Sequence, residues 1–510
     1  VTVEIGRKKA TIQNAVFEFS YQLVMISFGF IIPRLFLTYY GPTIHGLTSS
    51  ITNVMSYVLL LNAGLNTASI QALYDPLNKK DIRRLNEILN AIRQYYIQTG
   101  MAFTASVVLL ALILPYFIPE VPVNIVFWLM LVMGMQSTLT SFLISKHTVL
   151  LQADQKLYVA TLFNIVALVL RGVIQILLIR RASSVILVQA IPTIAILVVM
   201  LLQNHYVKRH YKGLDKQVKG DKRALSKRWS AFLHQIAGLV VNNTDILILT
   251  IVTGDMVLVS IYAVYQLVFS HLYSLMKTVF AQGSVASFGS LMLTQDREAL
   301  KSNYELYEFL YFSVVTVIYS VTSIMILPFV RLYTAGANDV SYSNPTIALL
   351  FVAIGIANNL RVPGDTLINA GGYFKETQWR AMLEAAINLL VSLMLIQRMG
   401  IYGLLVGTMA SFGYRTIDII LFSNRQILKQ TARKTFYRAA KVILIVLLNV
   451  SVFTLLFPLN IVTWLDWILS SIYTGIFSVA TAAVFSLIFE KKSYHLLTYS
   501  LKQMLKLKAS

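Results

Sequence analysis

Cysteine is absent from the 510 residues, which excludes disulfides, iron–sulfur clusters and thiolate metal sites. Charge is scarce, at 13% of residues, about half the share that a soluble domain carries. Acids are scarcer still: 22 Asp+Glu face 43 Lys+Arg, a formal net charge of +21. No GxxxxGK(S/T) segment occurs, so ATP hydrolysis on a phosphate-binding loop is excluded. The seven histidines lack metal-ligand spacing such as HExxH. No Ser/His/Asp or paired-carboxylate pattern stands out, so neither an enzyme activity nor a metal or cofactor is expected. What fills the chain instead is apolar: 57% hydrophobic residues and a mean hydropathy of +0.68. Such a composition fits an all-α polytopic membrane protein, whose side chains face lipid or other helices.

A membrane crossing needs about 20 mostly apolar residues. Fourteen segments qualify: 12–38, 44–73, 88–114, 122–145, 158–179, 184–205, 229–252, 256–281, 304–328, 346–370, 381–398, 401–424, 439–458 and 467–489. No secretory cleavage site precedes the first, which is expected to be retained. The longest connection, about 206–228, is too short for a folded domain. Basic residues crowd into alternate connections: Arg7, Lys8 and Lys9; Lys79, Lys80, Arg83 and Arg84; Lys146 and Lys156; nine in 208–228; Arg297 and Lys301; Lys375 and Arg380; five in 425–438; and five after Phe489. The other connections hold only Arg180, Arg181, Arg331 and Arg398. By the positive-inside rule both termini are cytoplasmic. The predicted organisation is a six-helix lobe over 1–212, a basic cytoplasmic linker over 213–228, a second six-helix lobe over 229–430, helices 13 and 14 over 431–490, and a basic tail over 491–510. The linker serves as a topology anchor, and its cations could also grip anionic lipid headgroups. Short dispersed loops argue against nucleic acid as a partner. Gly41 and Gly254, and Asp81-Ile-Arg-Arg-Leu and Asp296-Arg-Glu-Ala-Leu, fall at similar places in the two halves, a weak sign of duplication.

Longer stretches are more specific. IIPRLFLTYYGPTIHGLTSSITNVMSYVLLLNAGL (31–65), LVVNNTDILILT (239–250) with SIYAVYQLVF (260–269), and GGYFKETQWRAMLEAAINLLVSLMLIQRMGIYGLLVGT (371–408) with YRTIDII (414–420) resemble bacterial polysaccharide flippases. These belong to the multidrug/oligosaccharidyl-lipid/polysaccharide exporter superfamily. The resemblance runs to about residue 430; the last two helices match only in number and hydrophobicity. It implies two six-helix bundles in a V around a central cavity lined by helices 1, 2, 7 and 8, plus two C-terminal helices. It also implies an activity, moving undecaprenyl-diphosphate-linked oligosaccharide repeat units across the bacterial plasma membrane by alternating access. Capsule, exopolysaccharide or teichoic acid synthesis would use that step, alongside a polymerase and glycosyltransferases of the same pathway.

Polar groups inside spans face a cavity or a partner, because lipid satisfies neither charge nor hydrogen bond. On helix 7, His234, Gly238, Asn242 and Asp245 share a face; on helix 8, Tyr262, Gln266, Tyr273 and Lys277 do. Asn62, Asn66 and Ser69 form a stripe on helix 2, as Asn14, Glu18 and Gln22 do on helix 1. Such stripes either line a cavity or hold the bundle together. Five cations lie within spans: Arg34, Arg171, Lys277, Arg361 and Arg415. Arg415 with Asp418, and Arg361 with Asp365, stand one helical turn apart and can pair locally. Arg34, Arg171, Lys277 and Arg361 are candidate diphosphate contacts, since a guanidinium fork suits phosphate oxygens. Arg34 ranks first; it follows Pro33, expected to break the regular helix near its outer end. Glu18, Asp245 and Glu384 are candidate ion-coupling acids. Two other classes compete: an ion-coupled multidrug antiporter on the same fold, which should have an acid-dominated cavity, and a non-transport scaffold, membrane glycosyltransferase or polymerase, the last of which should have a large outer loop.

Overall fold

A computed structural model describes residues 2–494 apart from 60–64, 216, 222–242, 295, 338–339, 457–459 and 492. Within these residues all regular structure is helical, with no strand. Twelve described helices are long and apolar enough to cross a membrane. The first, Val16–Val58, covers the first expected span and the start of the second, and the seventh expected span is described only as the short apolar helix Asn243–Thr253. The all-α multi-span architecture is therefore present, with twelve candidate spans among the described residues. The chain divides into two compact units, residues 1–263 and 264–510.

Helix α1, Thr2–Val58, changes direction at Gly41, whose φ of 82° and ψ of 173° are not helical. The expected break at Pro33 does not occur: both Pro33 and Pro42 lie inside the helix. A proline removes only its own donor, and in a spanning helix neighbouring groups re-satisfy the freed carbonyl. The backbone of Gly41 instead leaves the right-handed region altogether, where a side chain is strained.

The two arms of α1 use different partners. The first runs parallel to the helix Leu157–Arg180. Asn14 donates to the Gln155 carbonyl (3.1 Å) and accepts from the Tyr158 amide (2.7 Å). Thr161 donates to Glu18 (2.6 Å), and Tyr40 donates to the Ser183 carbonyl (2.6 Å). Phe28 lies so close to Gly172 that a Cβ there would sit 2.2 Å from its ring. The second arm runs antiparallel to 243–263: Ser50 meets Thr250 (2.7 Å), Tyr57 meets Thr244 (2.7 Å) and His45 meets Ser260 (2.7 Å). Hydroxyls and glycines let backbones approach and bond across the interface, the usual means of helix association where lipid offers no hydrophobic drive.

The second unit repeats the device. Phe374–Met399 and Ile401–Phe422 form a hairpin turning at Gly400 (φ 55°). Added Cβ atoms would lie 2.5 Å from the Leu395 carbonyl at Gly403 and 2.3 Å from Ser392 Oγ at Gly407. The last two spans, Arg433–Leu456 and Trp464–Phe489, pack on Arg297–Tyr333. Asn449 donates to Ser320 (2.9 Å), and the Trp467 indole donates to the Met325 carbonyl (3.1 Å). Arg438, read from the sequence as a loop cation, is fully buried here because the helix starts at Arg433.

These contacts set two costs apart. Gly41→Ala meets no atom within 4 Å, so its penalty is backbone strain alone, about 1–3 kcal/mol. Gly46→Ala is worse in kind, since its Cβ would stand 1.8 Å from the Met256 carbonyl oxygen. Both variants should melt below wild type in detergent by differential scanning fluorimetry. Gly283→Ala, in open space at an ordinary helical position, should be neutral or mildly stabilising.

Candidate functional site

Buried charges in the second unit are committed to one another. Arg361 donates to Glu384 at 2.5 Å and lies 4.0 Å from Asp365. Arg415 approaches the other Glu384 oxygen at 3.5 Å and donates to Asp418 at 2.8 Å. Arg380 closes the group on the remaining Asp418 oxygen. Phe412 lies under the Arg361 guanidinium, 4.7 Å from its centre. Three guanidiniums and three carboxylates thus form a neutral network across Pro345–Gly371, Phe374–Met399 and Ile401–Ile427. Arg415 pairs with Asp418 as its spacing suggests. The main partner of Arg361 lies on the next span, which spacing within one helix cannot reveal.

A second neutral network joins the last two spans. Arg438 donates to Glu308 (2.9 Å) and to Glu490 (2.6 Å), and Lys441 pairs with the other Glu490 oxygen. Thr435 donates to Glu308 as well (2.8 Å). Buried pairs of this kind are tolerated only when every member keeps its partner.

The first unit holds a different arrangement. A cavity of about 580 Å³ opens among its helices, within the ~300–1,000 Å³ range of small-molecule sites. Arg171 and Asn164 reach it from Leu157–Arg180, seven residues apart and so on one helical face. Gln136 and Thr140 come from Val123–Leu139 and the π-turn that follows it, Thr140–Ile144. Such π-turns redirect side chains and are frequent at functional sites. Asn66 and Tyr21 complete the polar wall, and Ala167, Leu168 and Val199 supply apolar surface. Arg171 is the one charged side chain among the described lining residues, and no carboxylate lines the cavity there. Among the described residues no ion pair joins Arg171 to an acid.

The other candidates are distributed as follows. Asn62, His234 and Asn242 lie outside the described residues. Asn66 is on the cavity with Arg171. Arg34 is half-buried, and its carbonyl accepts from Thr38 (3.0 Å). Asp245 and Tyr262 are both buried and bond each other at 2.6 Å. Glu18 is exposed and accepts from Thr161. In the second unit Gln266 and Tyr273 are half-buried. Lys277 is exposed, 5.8 Å from the centre of the Tyr273 ring. Gln136, Thr140, Asn164 and Tyr21 were not among the residues singled out from the sequence. For Gln136, Thr140 and Asn164 the signal was present as spacings of four and seven, on helices that the family resemblance does not place around the central cavity; Tyr21 lies on helix 1, which it does.

No protein-family model matches the chain, and no curated protein matches it in sequence. Solved structures do match in fold. The lipid II flippase MurJ in an inward closed conformation is similar with a TM-score of 0.65 and 16% identity, over 94% of this chain and 99% of that one. An inward-facing multidrug resistance MATE family transporter of the MOP superfamily gives 0.63 and 12%, over 84% and 98%. The eukaryotic MATE transporter AtDTX14 gives 0.54 and 12%, over 85% and 99%. The chain is a multi-pass membrane protein with the helical fold of MOP-superfamily transporters.

The two kinds of cation should respond differently to neutralisation. Glu384→Gln leaves Arg361 and Arg415 short of a buried partner, and losing one member of a buried pair typically costs about 3–5 kcal/mol. Its melting temperature in detergent should fall markedly. Arg171→Gln leaves no acid stranded and should melt close to wild type. A large loss for Arg171→Gln would show that this side chain is structural.

Proposed function

We propose that the chain flips undecaprenyl-diphosphate-linked oligosaccharide repeat units across the bacterial plasma membrane by alternating access, for surface polysaccharide synthesis. The observation that carries this reading is the chemistry of the 580 Å³ cavity: one guanidinium, several amides and hydroxyls, and no carboxylate among its described lining. A guanidinium offers a planar fork to phosphate oxygens. Amides and hydroxyls donate to and accept from sugar hydroxyls. An exporter of cationic drugs needs the opposite sign, a carboxylate where the substrate's charge rests. The resemblance of residues 31–65, 239–269 and 371–420 to polysaccharide flippases points to the same choice. Because the diphosphate leaves water on binding, Arg171 would stabilise it where few other charges are available. A polymerase and glycosyltransferases of the same pathway would consume and supply the lipid-linked unit.

Ion coupling is assigned to neither Glu384 nor Asp245 in this reading. Glu384 is held by two guanidiniums, and Asp245 accepts from Tyr262. Glu18 is exposed on the same helix as Tyr21 of the cavity wall and is the acid best placed to respond to an ion there.

The test is export in a polysaccharide-producing host. Truncating one partner of a desolvated charged pair costs about 2–5 kcal/mol, and roughly 3 kcal/mol weakens binding more than a hundredfold. Arg171→Ala should therefore abolish export at normal protein abundance and accumulate lipid-linked precursor on the cytoplasmic leaflet. Arg171→Lys should keep partial export if charge alone matters, and little if the bidentate fork matters. Arg34→Ala, assayed in parallel, reports whether the first-ranked sequence candidate contributes. Wild-type export from Arg171→Ala, or efflux of a cationic dye by the wild type with no export of repeat units, sinks the reading.

A further inference from the structure

A smaller cavity, about 280 Å³, lies at the end of the first unit that carries the basic loop. Its wall includes Arg93, Lys146, Lys208 and Lys212, with Asp215 the single acid among its described lining residues. The floor is apolar, from Leu89, Leu150 and Val207. We infer that this pocket is a binding site for a phosphate-bearing ligand, separate from the transport cavity around Arg171.

Three observations lead there. First, the wall is built and not a loose loop. Asn86 donates to the Gly213 carbonyl (2.9 Å) and accepts from the Asp215 amide (3.0 Å). Asn90 donates to the carbonyls of Asp215 and Val218, both at 2.8 Å. Gly220 packs so tightly that a Cβ would lie 2.6 Å from the Ala91 nitrogen. A segment whose only task was to anchor topology would need charge, and none of this stapling.

Second, the nearby acids are already taken by other groups. Glu87 and Asp221 both pair with Arg84, at 2.8 and 2.9 Å. Asp154 pairs with Lys156 (2.7 Å) and accepts from Tyr211. Burial, and then the Asp154 carboxylate, push the Tyr211 hydroxyl's pKa up, so it remains a neutral donor. Asp215 turns its own oxygen to the Gln217 amide (2.8 Å). Among the described residues Arg93, Lys208 and Lys212 form no ion pair with any of them. An excess of positive charge in a concave, partly apolar pocket raises the local concentration of anions.

Third, the pocket sits where Val185–His210 and Ile82–Phe117 end their apolar stretches. Phosphate groups of lipids lie at that depth, and basic pockets between spans take such headgroups. Free phosphate compounds reach the same edge from water. The size suits a headgroup or a diphosphate, not a whole oligosaccharide.

The experiment uses the full chain, purified in detergent and in nanodiscs. The probes are inorganic pyrophosphate, followed by thermal shift, and nanodiscs of phosphatidylglycerol against phosphatidylcholine, followed by native mass spectrometry of retained lipid. The variant is Lys208→Gln/Lys212→Gln, two exposed side chains whose loss leaves the helices intact; an unchanged melting temperature in phosphate-free buffer checks this. The control is Lys79→Gln/Arg83→Gln, exposed cations of a different connection, outside the pocket. Saturable binding that weakens about tenfold or more in the pocket variant, and not in the control, supports the site. Retained phosphatidylglycerol without pyrophosphate binding identifies a lipid source; pyrophosphate binding without lipid retention identifies a soluble one. Equal losses in variant and control, or no saturable binding of either probe, overturns the inference.

Discussion

A charge taken out of water costs several kcal/mol, and it is tolerated inside a bundle only with an opposite charge in contact. Most of the unusual features of this chain follow from that constraint. With few acids to spare, the second unit places them where guanidiniums are buried. Glu384 and Asp418 each hold two arginines, and Glu308 and Glu490 share Arg438. Each carboxylate oxygen of Glu384 and Asp418 faces a different guanidinium, so the networks also fix the rotation of neighbouring spans. Arg438, fully buried, ties the last two spans to the helix Arg297–Tyr333. The C-terminal pair is thereby an integral part of its unit, and not an apolar appendage.

Electrostatics fixes rotation, and small residues fix distance. Gly46, Gly172, Gly403 and Gly407 each leave no room for a methyl group. At such contacts dispersion and hydroxyl hydrogen bonds act over short range, where lipid contributes little. Ser50 with Thr250, and Asn388 with Thr408, are bonds of this type across close interfaces. Elsewhere the packing is open: the cavity of the first unit has the small side chains of Ala167, Ser137 and Ser145 in its lining.

What the sequence made legible follows the range of each signal. Hydropathy is local, and it located the spans found among the described residues. Its failures were local as well. Pro33 was read as a break, and the break is Gly41, because a spanning helix absorbs a missing donor more easily than a side chain absorbs an unfavourable φ. Arg438 looked like a loop cation because it precedes the apolar run, yet its partners Glu308 and Glu490 are 130 and 52 residues away. Pairing within one helix, Arg415 with Asp418, could be read from a spacing of three. Pairing between helices, Arg361 with Glu384, could not. A polar stripe does not say whether it meets water or another helix. Tyr262 and Asp245 meet each other, whereas Asn66 meets the cavity.

Two guanidiniums of the first unit, unlike Arg84 with its Glu87 and Asp221 partners, contrast with those of the second. In the second, Arg361, Arg380, Arg415 and Arg438 are all in ion pairs. In the first, Arg171 and Arg93 line cavities and form no ion pair among the described residues. A neutralised guanidinium contributes rigidity and a fixed packing angle. One that faces a water-filled cavity keeps its hydration until an anion displaces it, so its attraction is available for binding and not spent on folding. Acid scarcity in the composition is the origin of the division. With about half as many acids as bases in the chain, folding can neutralise only some of the cations, and Arg171 and Arg93 are among those left to line a cavity.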